Sequence, residues 1–367
     1  MAFESFGTYS NPWMCPVCLE DKHLAVAYPM CRKFHTNVSS PLIGSKYTTA
    51  ELPLALEYAS NCIVPTTWKA FPLINIVVHN HDTNIFEFGL EEGQRLQLPV
   101  CGCLLAMAPD SDHDGGDAVR PYTPCSPEDL IGKFQILIKR YAEWGDKEFL
   151  HSYKPAGAVS NYVHNMKVGD KLSFKHIASN VKLPYVDPSG ARGFKGVDSI
   201  TMIAVGVGLA PMIQAMHAML SNKYDNTQIV LIYGNRNVKD ILLRDRLNEW
   251  QNEHADRLKV VHCIGTRYGH VHMHFDDCPG TCGKPCERWK IPEPADFRTL
   301  AEDRREHSWV NEAVIAKHGF RPDDRTRVFV CGLPSVYKAL CGERGKPLVE
   351  GTALHNLGYT NDMVVKF

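Results

Sequence analysis

Residues 199–220 read SITMIAVGVGLAPMIQAMHAML, the least polar stretch of a 367-residue chain and long enough to raise the question of a membrane span. Its internal order argues otherwise: β-branched residues fill the first part, glycines the middle, and a helical pattern fronted by Pro211 the end. That is the signature of a strand, a tight turn and a helix. The same alternation continues on the C-terminal side, with QIVLIYG before KDILLRDRLNEWQ, then RLKVVHCIG, and finally RVFVCG before PSVYKALCG. Strands alternating with helices predict a parallel α/β sheet over residues 195–367, with ligands at the strands' C-terminal ends.

On the N-terminal side the pattern changes. FPLINIVVHN, NIFEFGL, QRLQLPV, RPYTP, FQILIKRY and DKLSFKHI are short alternating or β-branched runs broken by Asn, Asp and Gly. They predict a small antiparallel β-barrel or sandwich over residues 67–180. Residues 1–66 form a Cys-rich extension, and residues 268–308 are too polar and Pro-rich for a core element and read as an inserted loop. An apolar fraction of 44% and a charged fraction of 22% argue against wholesale disorder. A formal net charge of −1 advertises no nucleic-acid partner. The start MAFESFGTYSNPWM has no secretory signal, no apolar anchor and, with Ala2, no myristoylation start. A cytoplasmic protein with no transmembrane span is the expectation; peripheral membrane contact stays open. Thirteen cysteines, an odd count, then read as reduced thiols.

Taken in order, RPYTP (120–124), IKRY (138–141), GAVSNYV (157–163), GVGLAPM (206–212), KDILLRDRL (239–247), VFVCGLP (328–334) and the closing VVKF carry a resemblance. Over residues 68–367 the chain resembles the cytochrome b5 reductase branch of the ferredoxin reductase-like flavoenzymes. The resemblance implies two domains, an antiparallel Greek-key FAD-binding β-barrel followed by a Rossmann-like parallel α/β NAD-binding domain. It implies an FAD-dependent oxidoreductase that takes hydride from NADH and passes electrons to a one-electron acceptor such as cytochrome b5 or an artificial dye.

Roles follow residue by residue. In RPYTP, the resemblance implies that Arg120 neutralises the flavin pyrophosphate, Pro121 stiffens the strand, Tyr122 packs on the isoalloxazine and Thr123 hydrogen-bonds near the reactive nitrogen. Leu137, Lys139 and Tyr141 would serve the adenylate side, and Gly157, Ala158, Val159 and Ser160 would offer phosphates a helix start. Gly206, Val207, Gly208, Ala210 and Pro211 would form the nicotinamide-nucleotide turn. The family's usual GGTGxTPM has hydroxyls that Val207 and Ala210 lack, and its CGPP is here CGLP. Cys331, Gly332 and Pro334 would sit beside the nicotinamide, with Cys331 shaping hydride geometry. Asp240 would accept from the adenosine ribose hydroxyls and favour NADH over NADPH, or else cap the following helix. Phe367 would either cover the flavin or pack in the core.

Two features stand outside this resemblance. Cys15, Cys18, Cys31 and His35 have a C-x2-C-x12-C-x3-H spacing that can complete a tetrahedral zinc site. Cys278, Cys282 and Cys286 follow His270, His272 and His274 in the insert, where metal binding, thiol redox chemistry and an ordinary surface loop are all open. Two rival readings therefore stand: a zinc-organised interaction protein on a turnover-deficient reductase fold, and a flavin reductase whose acceptor is a quinone or oxygen.

Overall fold

The computed structural model describes residues 62–143, 155–177, 185, 193–194, 196–265 and 295–367. The zinc-spaced Cys15, Cys18, Cys31 and His35, and the insert's cysteines, lie outside these residues.

The N-terminal sheet contains β1 (Lys69–Val78), β2 (Thr83–Gly89), β3 (Leu104–Ala108), β4 (Ala118–Tyr122), β5 (Lys133–Lys139) and β6 (Lys171–His176). They lie in the order β4-β3-β6-β1-β2-β5, every pair antiparallel. The sheet curls on itself as a half-barrel, and beyond β4 the Cys125 amide donates to the Gln135 carbonyl on β5 at 2.9 Å. Its core is aromatic: Phe71, Phe88, Phe134 and Phe174 meet with centroids 4.8 to 6.2 Å apart, mostly edge to face. Helix α1 (Ala158–Asn165) closes one side by burying Val159 and Val163.

One expected strand is not there. QRLQLPV makes only the isolated bridge Arg95↔Ile131, and the ladder resumes at β3 instead. Gln97 and Cys101 both have positive φ, and the Gly102 amide donates to the Pro99 carbonyl at 2.7 Å. A Cβ on Gly102 would stand 2.8 Å from that carbonyl oxygen, so the turn needs glycine. Turn chemistry here overrides alternation.

The second sheet contains β7 (Ser199–Val205), β8 (Gln228–Asn235), β9 (Leu258–Ile264), β10 (Arg305–Glu306), β11 (Thr326–Cys331) and β12 (Val364–Lys366). All are parallel, in the order β10-β9-β8-β7-β11-β12. Helices α2 (Leu209–Leu220), α3 (Arg244–Glu253), α4 (Glu312–His318), α5 (Pro334–Leu340) and α6 (Ala353–Asn356) join its strands. From β7 the chain runs outward to β8, β9 and β10, then returns to place β11 on the other side of β7. The carboxyl ends of β7 and β11 therefore flank a topological switch point, where open α/β sheets hold their ligands.

The end of the stretch read as an inserted loop belongs to this domain: Phe297 and Leu300 are buried, and β10 pairs with β9. A 3₁₀ turn at Val238–Asp240 precedes α3, which starts at Arg244, so Asp240 does not cap that helix. Apolar packing is continuous between the domains, from Val100, Cys101, Cys125 and Leu137 to Leu209, Met212 and Phe329. Among the described residues no helix is long and apolar enough to cross a membrane.

Candidate active site

At the switch point the two strand ends touch through glycines. Gly206 adopts φ +56°, and its carbonyl accepts from the Tyr233 hydroxyl at 3.1 Å. A Cβ on Gly208 would stand 2.3 Å from the Cys331 carbonyl oxygen, and one on Gly332 would stand 3.3 Å from Cβ of Val205. Only backbone without side chains fits between the turns, so a ligand there meets main chain. Ala210 and Pro211 are buried at the start of α2, and the Pro211 carbonyl accepts from the Cys101 thiol of the barrel at 3.2 Å. Val207 is half-buried against the core, while Leu333 and Pro334 are exposed beyond Gly332.

Cys331 ends β11 half-buried. Burial pushes its thiol up to about 11, against the opposing pull of Tyr337 and Arg344 beside it. At neutral pH it is a small, uncharged group, suited to packing against a ligand and unsuited to nucleophilic attack. Phe367 packs in the core, where its ring meets Phe329 at 5.3 Å and its amide donates to the Val330 carbonyl at 3.0 Å. Its carbonyl oxygen accepts from the Tyr337 hydroxyl and from Arg344 Nη1, the latter at 3.0 Å.

The barrel supplies the facing wall. Arg120, Pro121 and Tyr122 pair in register with Ala106, Leu105 and Leu104. Arg120 is exposed and folds Nη1 onto the Val119 carbonyl at 2.7 Å. Tyr122 and Thr123 are half-buried at the strand end; burial raises the Tyr122 phenol, with Tyr141 and Arg120 near enough to act on it. Tyr141 is 38% exposed, yet crowding by the protein pushes its phenol up to about 12, with Asp82, Arg236 and Cys331 all felt there.

Helix α1 packs against β3 and against β4, the strand bearing Arg120. Its N-cap Gly157 has no side-chain cap, and no acid occupies the first turn, so the amides of Ala158, Val159 and Ser160 remain for an anion. The Gly157 amide donates to the Tyr141 carbonyl at 2.9 Å, and a Cβ there would stand 2.4 Å from Ser160 Oγ. Ser160 spends its hydroxyl on the Gly157 carbonyl at 3.1 Å. An uncapped helix start, a glycine cradle and the exposed Arg120 guanidinium on a strand packed against that helix have the chemistry to hold a pyrophosphate, and Tyr122 and Tyr141 offer aromatic faces to a ring system.

The other expected residues have contacts within the protein. Leu137 is buried in the interdomain core, and Lys139 Nζ lies 2.5 Å from Asp82. Asp240 is 5% exposed; Oδ2 accepts from Arg236 Nε at 3.2 Å and Asn237 Nδ2 at 3.3 Å. Sequence reasoning found both strands of the β1–β2 hairpin but not that its turn, His79 to Asp82, meets this loop. Its only signal was polar residues clustered at a turn between two strands.

The oxidoreductase FAD-binding domain family matches residues 70–182, and the oxidoreductase NAD-binding domain family matches residues 202–272. The NADH-cytochrome b5 reductase 2 of Yarrowia lipolytica is 31% identical over 79% of this chain and 81% of its own length. An NADH-cytochrome b5 reductase-like protein of Arabidopsis thaliana is 29% identical over 83% of this chain and 77% of its own. Among solved structures, the cytochrome b5 reductase domain of Ulva prolifera nitrate reductase superposes with TM-score 0.60 at 26% identity, covering 83% of this chain and 98% of that domain.

Proposed function

We propose, for a chain that belongs to the NADH-cytochrome b5 reductase-like, ferredoxin reductase-type flavoproteins, that it is an NADH-dependent flavin oxidoreductase delivering electrons singly to a small haem protein of the cytochrome b5 kind. FAD, when bound, supplies the chemistry, accepting a hydride and releasing electrons one at a time. The observation that carries this reading is the close approach of the Gly208 turn to the Cys331–Gly332 backbone, at the switch point of a parallel sheet that shares its core with the barrel.

The chain's own residues orient and exclude. Arg120 and the amides of Ala158, Val159 and Ser160 hold the flavin pyrophosphate, and Tyr122 and Thr123 set the ring against the strand end. Gly206 and Gly208 let the nicotinamide nucleotide lie on main chain at the start of α2. Cys331, neutral and compact, limits how far the nicotinamide can move, which is a positioning contribution. Asp240 accepts from the adenosine ribose and favours NADH over NADPH.

The acceptor is tested by mixing NADH-reduced protein with purified cytochrome b5 and following the haem band, with a quinone and oxygen in parallel. Saturable haem reduction faster than transfer to either alternative supports the reading. Electrons passing only to quinone or oxygen would assign it to the flavin reductases instead.

A further inference from the structure

Resting on the reading that Asp240 meets the adenosine ribose, we propose that Asp82, on the barrel's β1–β2 hairpin, is a second specificity-determining residue for the nicotinamide nucleotide. It discriminates against a 2′-phosphate from across the domain boundary.

The hairpin docks on the loop between β8 and α3. Asn80 Nδ2 donates to the Lys239 carbonyl at 3.3 Å, and the Leu243 amide donates to His79 Nε2 at 2.9 Å. This docking brings a barrel carboxylate to the nucleotide loop. His81 Nε2 lies 3.4 Å from Asp82 Oδ2 and 3.3 Å from Asp240 Oδ1, and one ligand atom of each of the three lies within 4.8 Å of the others.

Asp240 Oδ1 is buried and has no hydrogen-bond partner, with His81 Nε2 3.3 Å away. A buried acceptor without a donor marks the place for one, and a ribose hydroxyl is such a donor. The two cations at hand are both tied to Asp82: Lys139 Nζ at 2.5 Å and Arg236 Nη2 at 3.6 Å. Arg236 also serves Asp240, so the two carboxylates share two Lys and Arg cations.

A hydroxyl entering this cluster gains an acceptor. A phosphate carries close to two negative charges into two carboxylates whose cations are already committed, and is rejected. Asp82 thus acts twice, as a like charge and as the group that withholds Lys139 and Arg236. The discrimination is shared between domains.

The test uses the full-length flavoprotein with ferricyanide as acceptor, comparing kcat/KM for NADPH and NADH. Asp82→Asn is expected to raise the NADPH-to-NADH ratio about tenfold, the factor equivalent to roughly 1.4 kcal/mol, mainly through a lower KM for NADPH and less at high salt. An unchanged ratio, or equal losses for both nucleotides as a merely structural hairpin would give, overturns the proposal. Asp240→Asn is measured alongside: if it moves the ratio and Asp82→Asn does not, the proposal fails while the ribose role stands. If neither moves it, both fail. Should Asp82→Asn not retain flavin, Arg236→Gln must lower the ratio; an unchanged or raised ratio overturns the proposal.

Discussion

Gly208 shows how little room the chemistry leaves. A methyl group there would stand 2.3 Å from the Cys331 carbonyl oxygen, and backbone cannot swing aside as a flexible side chain can. Gly208→Ala is therefore expected to part the two turns and slow flavin reduction by NADH by about a hundredfold, the penalty of a misplacement near 1 Å, while flavin content holds. Stopped-flow absorbance reads the first and the protein-bound flavin band the second. His262 on β9 carries a different cost. Burial, with Arg244 and Arg304 nearby, holds its imidazole down to about 4, and its Nδ1 has no hydrogen-bond partner. The unfolded chain therefore takes up the proton first as pH falls. Stability from keeping His262 neutral is complete above an ordinary histidine pKa of about 6.5 and is lost as pH drops towards 4, by roughly 3 kcal/mol in all. His262→Phe should flatten denaturant midpoints across that window; an unchanged slope assigns the acid sensitivity elsewhere.

Elements divide by how local their determinants are. The β7–turn–α2 unit was legible because β-branched residues, glycines and a Pro-led helix follow one another without interruption. RPYTP also kept its strand, with Tyr122 at its end. QRLQLPV failed because the Pro99–Gly102 turn consumes its backbone, and no alternating pattern reveals a positive φ at Gln97 or Cys101. Asp240 lies on the loop after β8, and the barrel hairpin that meets this loop, through Asn80 to Lys239, is 159 residues earlier, so the contact has no local signal. The engagement of Ser160 Oγ with Gly157 likewise follows from the helix start and leaves amides as the anion donors. At this scale strand β4 makes a prediction: Arg120→Ala removes its exposed guanidinium. The flavin dissociation constant should rise at least about tenfold, since hydrogen bonds to charged groups contribute roughly 1.5–3 kcal/mol. Recovery of free-flavin fluorescence on dilution measures it, and full retention would remove Arg120 from the pyrophosphate.

Across the whole molecule the two sheets share one core, because the cluster holding Ile200, Met212 and Phe329 also holds Val100, Cys125 and Leu137 of the barrel. Leu137 is 3% exposed in that shared core, so Leu137→Ala should cost about 2–5 kcal/mol and lower the unfolding midpoints of both domains together. Barrel and sheet unfolding separately, seen as flavin release well before loss of helical circular dichroism, would mean the interface is only a contact. A site built from both domains needs that shared core to hold two planar rings in register. The most direct test of the account is the absorbance spectrum of the purified protein before and after anaerobic addition of NADH. A flavin band that bleaches on addition is the predicted result; a colourless protein that cannot be reconstituted with FAD would contradict it.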